Sequence, residues 1–151
     1  MRSEAEKGEL ELIVFRKFAE RSGLAVVAGS IVKRCPPEPD ILCTLASGES
    51  IAFELAEACA PEFAAAASEA TRKGVAVAFG ADVSVETLRK KLLKSYTSSH
   101  PIELLLYTNG LTALLDEHIA QDIAKLLCGR AQPFRRIWLM GDGVQILAGD
   151  A

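Results

Sequence analysis

The tripeptide Ala46-Ser47-Gly48 separates two short apolar runs, Asp40 to Leu45 and Glu49 to Ala56. It ends in the residue that a bulged three-residue hairpin loop favours at its left-handed position. If Leu45 pairs with Glu49, counting outward sets Asp40 directly opposite Glu54, with Cβ atoms about 5 Å apart on one face of the sheet. Along the second run Ile51, Phe53 and Leu55 point one way while Ala52, Glu54 and Ala56 point the other, so Glu54 sits among small neighbours. Two carboxylates placed in this way repel each other unless a cation joins them, and both reach one divalent ion. The Pro36-Pro37-Glu38-Pro39 run ahead of Asp40 forces an extended, non-helical approach to it.

The rest of the chain reads as alternating helices and strands. Leu10, Val14, Phe15 and Phe18 recur at helical spacing, which predicts a helix from about Gly8 to Arg21, stopped near Gly23. Leu24 to Lys33 suits a strand bent or bulged at Gly29. The alanine-rich stretch 58–73 reads as a helix, and 75–79 as a short strand or part of the crossover. Ser84 caps a helix running to about Tyr96, with Val85, Leu88, Leu92 and Tyr96 on its buried face. Ile102 to Tyr107 carries only Glu103 among apolar residues, the pattern of a central strand covered on both faces. A helix over 112–128 burying Leu115, Ile119, Ile123 and Leu126 follows, ending at Gly129. Ile137 to Met140 and Val144 to Leu147 then flank Gly141-Asp142-Gly143 as a closing hairpin.

With 151 residues, half of them hydrophobic, the chain is expected to form one domain over 1–151. A formal net charge of −3 argues against nucleic-acid binding through overall basicity, so any such contact must be local. No apolar run approaches the roughly 20 residues that span a bilayer, and the charged start lacks a signal peptide's apolar region. A cytoplasmic protein without membrane contact is expected. Cys35, Cys43, Cys59 and Cys128 form no CxxC pair and read as buried free thiols.

The order helix, bent strand, Pro-Asp strand, Glu strand, helix, buried strand resembles the PD-(D/E)xK nuclease superfamily. Pro39-Asp40 and Glu54-Leu55-Ala56 stand where the halves of that family's motif fall. The resemblance covers about Glu11 to Tyr107. It implies an α/β fold with the restriction endonuclease-like core, α-β-β-β-α-β, in which helices flank a central mixed sheet, followed here by a C-terminal helix and hairpin. It implies a metal-dependent nuclease hydrolysing phosphodiester bonds of DNA, in which Asp40, Glu54 and the Leu55 carbonyl bind Mg2+ or Mn2+ and metal-bound water attacks. The alternative on the same fold is a catalytically inactive binding or interaction module. The partner implied is nucleic acid, DNA before RNA, and a homodimer is left open.

This chain departs from the family pattern at Ala56, which stands in the place of the motif lysine and supplies no cation. Family members sometimes draw it from the following helix, where Arg89, Lys90, Lys91 and Lys94 lie. On a helical wheel Lys91 flanks the Leu88/Leu92 face, with Lys90 second, whereas Lys94 points nearly opposite. Glu11, on the stripe of Val14, Phe15 and Phe18, matches the acid that the family often places in its first helix beside the metal. Glu57 lies on the opposite strand face and is left out of the metal shell. His100 and His118 lack ligand partners at convincing spacing, Trp138 reads as packing, and no glycine-rich phosphate loop follows a strand.

Overall fold

A computed structural model of the chain describes residues 3–57, 88–108, 116–128 and 132–149. Helix α1 spans Glu4–Arg21, a turn longer at its start than the apolar spacing predicts. The reason is a capping box. The Ser3 hydroxyl accepts from the Glu6 amide while the Glu6 carboxylate accepts from the Ser3 amide, satisfying two otherwise orphan donors. At the other end Ser22 caps the helix, and Gly23 takes the left-handed conformation at φ 81°.

The expected strand over 24–33 shrinks to β1, Val32–Lys33, preceded by a 3-10 turn over Ala28–Ser30 and one isolated bridge between Val26 and Leu45. Ser30 explains the interruption. Its hydroxyl donates to the Val27 carbonyl and accepts from the Thr44 amide, taking over hydrogen bonds that a continuous ladder would have made. Strands β2 (Ile41–Thr44) and β3 (Ser50–Glu57) form the expected hairpin. Leu45 donates its amide to Glu49 across the loop, and Gly48 takes φ 95°, which a side chain would strain.

Residues 88–93 are helical (α2) and lead into β4, Ile102–Tyr107. Helix α3, Asp116–Leu127, precedes β5 (Ile137–Met140) and β6 (Val144–Ala148). The six strands among the described residues are ordered β1-β2-β3-β4-β5-β6. β3, β4 and β5 run parallel, while β1/β2, β2/β3 and β5/β6 are antiparallel. The result is a mixed sheet flanked by helices in an α/β fold. The expected helix at 58–73, the segment at 75–79, the Ser84 cap and the first residues of the helix predicted over 112–128 lie outside the described residues.

Alternation along the strands divides the core in two. One face buries Phe15 and Phe18 of α1 against Ile41, Ile51, Phe53, Leu105 and Trp138, with the Phe18 and Trp138 rings meeting edge to face. The other packs Leu88 of α2 and Ile123 and Leu126 of α3 against Ala56, Leu104, Leu106 and Leu139. β4 is covered on both faces, as its nearly unbroken apolar run predicts. No helix among the described residues is long and apolar enough to cross a membrane. Cys43 is a buried free thiol, but Cys35 and Cys128 are exposed, correcting the expectation of burial for those two. Cys59 lies outside the described residues.

Candidate functional site

The β2/β3 register runs from Thr44 opposite Ser50 to Ile41 opposite Phe53, and Asp40 and Glu54 lie one step beyond that last pair. Both side chains act at the end of the hairpin. Asp40 Oδ2 accepts from the Leu55 amide at 2.9 Å, and Glu54 Oε1 accepts from the Asp40 amide at 3.2 Å. Each carboxylate thus satisfies a backbone donor of the opposite strand beyond the last regular β2/β3 pair, so the two acids extend the ladder. Leu55, expected to lend a carbonyl to a metal, lends its amide to Asp40.

Glu54 is fully buried, and an unpaired carboxylate there would carry a large desolvation cost. Two ammonium groups meet it at the same oxygen: Lys91 Nζ lies 2.9 Å and Lys94 Nζ 3.3 Å from Oε2. A third, Lys33 Nζ, sits between Glu11 Oε2 at 3.3 Å and Asp40 Oδ1 at 3.5 Å, and also donates to the Arg34 and Asp40 carbonyls. Glu11 is itself buried on α1, so Lys33 supplies the compensation that its place on an apolar stripe requires. Three carboxylates are therefore balanced by three lysines.

This arrangement overturns the expected Mg2+ or Mn2+ cofactor. Among the described residues no group of three or more His, Cys, Asp or Glu side chains is placed to hold a metal ion. The physical reason is that the oxygens of Glu11, Asp40 and Glu54 face ammonium groups and backbone amides, which relieve by protein charge the repulsion that suggested a metal.

Lys91 approaches Glu54 from the edge of the Leu88/Leu92 face, as the helical wheel predicts. Lys94 does not point away from it. Helical structure ends at residue 93, and the Lys94 amide reaches the Lys91 carbonyl at 3.3 Å, three residues back. A wheel built on 3.6 residues per turn no longer describes its direction. The Lys94 ammonium also lies 5.4 Å from the centre of the Tyr96 ring. The buried Tyr96 hydroxyl has no hydrogen-bond partner among the described residues. Burial first, then the charge of Glu54, hold this phenol well above the ordinary tyrosine range.

From Thr87 to Ile102 the sequence contains no acid, and it carries Arg89, Lys90, Lys91, Lys94 and His100. Thr97 donates its amide to the Pro37 carbonyl, which ties this segment to the loop before Asp40. Between them a cleft of about 130 Å³ is lined by Arg34, Glu38, Ser98, Ser99 and His100 over a floor that includes Pro39 and Ala52. Ala56, in the place of the motif lysine, is buried in the core of the α2/α3 face. The His118 side chain lies outside what is described.

Two elements of the charge layout escaped sequence reasoning. Lys33 sits on a strand of two residues, too short for alternation to assign its face. Glu103 reads in sequence as a lone acid in an apolar run, yet it is fully buried on the α1 face. It accepts from Arg135 Nε at 2.9 Å and Nη2 at 2.8 Å, Arg136 Nε at 3.0 Å and Trp138 Nε1 at 2.8 Å. Its signal was available: an acid inside a doubly covered strand must have cationic partners, and Arg135-Arg136 precede the neighbouring strand. No protein-family model, curated protein or solved structure matches the chain.

Proposed function

We propose that this chain is a nuclease-like module that no longer cleaves and instead binds the phosphate backbone of nucleic acid, DNA in the first instance, through its basic segment 89–100. The observation that carries the reading is the neutralisation of Glu11, Asp40 and Glu54 by Lys33, Lys91 and Lys94. Carboxylates held in this way stiffen the site and anchor cations at its rim, but they are not open to activate water. Among the described residues the element order α1, β1, β2, β3, α2, β4 supports descent from the α-β-β-β-α-β core, as do Asp40 and Glu54 one step beyond the Ile41/Phe53 pair, behind Pro39. Ala56 supports the loss of catalysis, since it offers no charge to a developing phosphorane.

Binding is placed on the segment 89–100 because it combines Arg89, Lys90, Lys91 and Lys94 with the exposed hydroxyls of Ser95, Thr97 and Ser99, donors suited to phosphate oxygens. Such contact is local, which reconciles it with a net charge of −3. Fluorescence anisotropy with labelled single- and double-stranded DNA and RNA, from low to physiological salt, tests the reading. Affinity should fall steeply with salt, as counterion release demands, and the oligonucleotides should be recovered uncut. Absence of binding at low salt overturns the nucleic-acid assignment, and cleavage by the purified protein overturns the inert one.

A further inference from the structure

Glu54 meets two lysines where one would neutralise it, and the two are not equivalent. Lys91 is nearer, at 2.9 Å, with 23% of its side chain exposed; Lys94 is at 3.3 Å with 46% exposed. Once Lys91 balances the buried charge, the second ammonium gains little from the carboxylate, and it holds a long side chain in place at an entropic cost. Lys94 has a second hold in the Tyr96 ring, which keeps its ammonium nearby without a fixed direction. The Tyr96 hydroxyl, buried and unpartnered among the described residues, feels the charge of the same carboxylate.

We infer that Lys94 is the exchangeable cation of an anion site, leaving Glu54 for an incoming phosphate while Lys91 remains as the structural counter-ion. The inference rests on the proposed phosphate binding and assigns its contacts. Glu54 then acts as an internal competitor: it parks the Lys94 ammonium in the free protein and sets how strongly a phosphate must pull to displace it. The exchange leaves the buried Glu54 carboxylate paired with Lys91 throughout. Asp40, whose amide occupies the other Glu54 oxygen, is not disturbed.

The test uses the full chain labelled with 15N at lysine, titrated with inorganic tripolyphosphate and, separately, with a DNA oligonucleotide. The Lys94 Nζ resonance should shift with either ligand while that of Lys91 stays in place. Lys94→Ala should weaken binding on the order of tenfold and reduce the salt slope by about one. Its melting temperature should change by less than about 2 °C, whereas Lys91→Ala should lower melting by several degrees. Glu54→Gln, which removes the competitor, should tighten binding rather than weaken it. A shift at Lys91, no shift at either lysine, or unchanged binding by Lys94→Ala overturns the exchange. If tripolyphosphate moves Lys94 but no nucleic acid binds, the anion site stands and the nucleic-acid reading falls. If DNA binds and Lys94 stays still, the reverse holds.

Discussion

Glu54 and Glu103 are both fully buried and lie in neighbouring strands, one residue apart in register, yet they face opposite sides of the sheet and are neutralised by different chemistry. Glu103 is held by two guanidinium groups and an indole in fixed directions, with Arg136 also lying 5.7 Å from the Trp138 ring centre. Glu54 is held by two lysines, compact charges on flexible stems. Arginine's planar fork gives a geometry that resists exchange, while an ammonium satisfies a carboxylate from many angles and leaves it readily. The first network belongs to packing. The second keeps part of each lysine side chain exposed, 23% of Lys91 and 46% of Lys94.

The largest expected effect breaks the lysine side of the comparison. Lys91→Ala combined with Lys94→Ala leaves Glu54 buried with the Asp40 amide as its remaining donor among the described residues, and should cost about 3 kcal/mol at neutral pH in urea denaturation. That figure takes the lower end of the range because both lysines reach water. The loss should exceed the sum of the single variants, since Lys94 covers part of the Glu54 charge when Lys91 alone is removed. Adding Glu54→Gln should restore most of it. Simple additivity of the single variants would show that the two cations are not redundant.

Glu103→Gln comes next, at about 2 kcal/mol, because the side chain keeps its shape but loses the charge that two arginines share. Trp138 is the single tryptophan of the chain, so its emission reports the change directly. An unaltered spectrum would mean that the indole does not depend on the carboxylate. Exchanging the cation types should cost less and sharpen the contrast. Arg136→Lys loses both directional hydrogen bonding and ring contact, for about 1 kcal/mol, whereas Lys91→Arg should stay within a few tenths. Equal costs would remove the distinction between fork and point charge.

The smallest effects appear at alkaline pH, where each carboxylate has a titrating neighbour. Burial, then the charge of Glu103, push the Cys43 thiol up to about 11. Because its folded value is raised, the stability that it contributes is complete below the ordinary thiol range and is lost as pH rises through about 11. Tyr96, raised by burial and then by Glu54, follows the same sign further into alkali. Iodoacetamide should therefore modify exposed Cys35 and Cys128 well before Cys43, read by peptide mass mapping. Glu103→Gln should narrow that interval, and Glu54→Gln should leave it unchanged. Comparable alkylation of all three would contradict the burial of Cys43.

What the sequence determined is what local geometry controls. A three-residue loop ending in Gly48 sets the register that places Asp40 opposite Glu54, because strand alternation has a period of two and leaves no freedom once the turn is known. The apolar run of β4, broken only by Glu103, announced a strand covered on both faces for the same local reason, while apolar spacing alone began the first helix a turn later than the Ser3/Glu6 capping box does. The tertiary structure decided which charges meet. Lys91 and Lys94 are 37 and 40 residues from Glu54, Arg135 is 32 from Glu103, and Lys33 is 22 from Glu11. No period links such pairs. Their meeting depends on where strands stack and on where α2 ends, and that end carried Lys94 off the helical wheel and onto Glu54. A pair of opposed acids can be read from a hairpin, but whether they face a metal or an ammonium is settled by side chains that only the assembled sheet brings within reach.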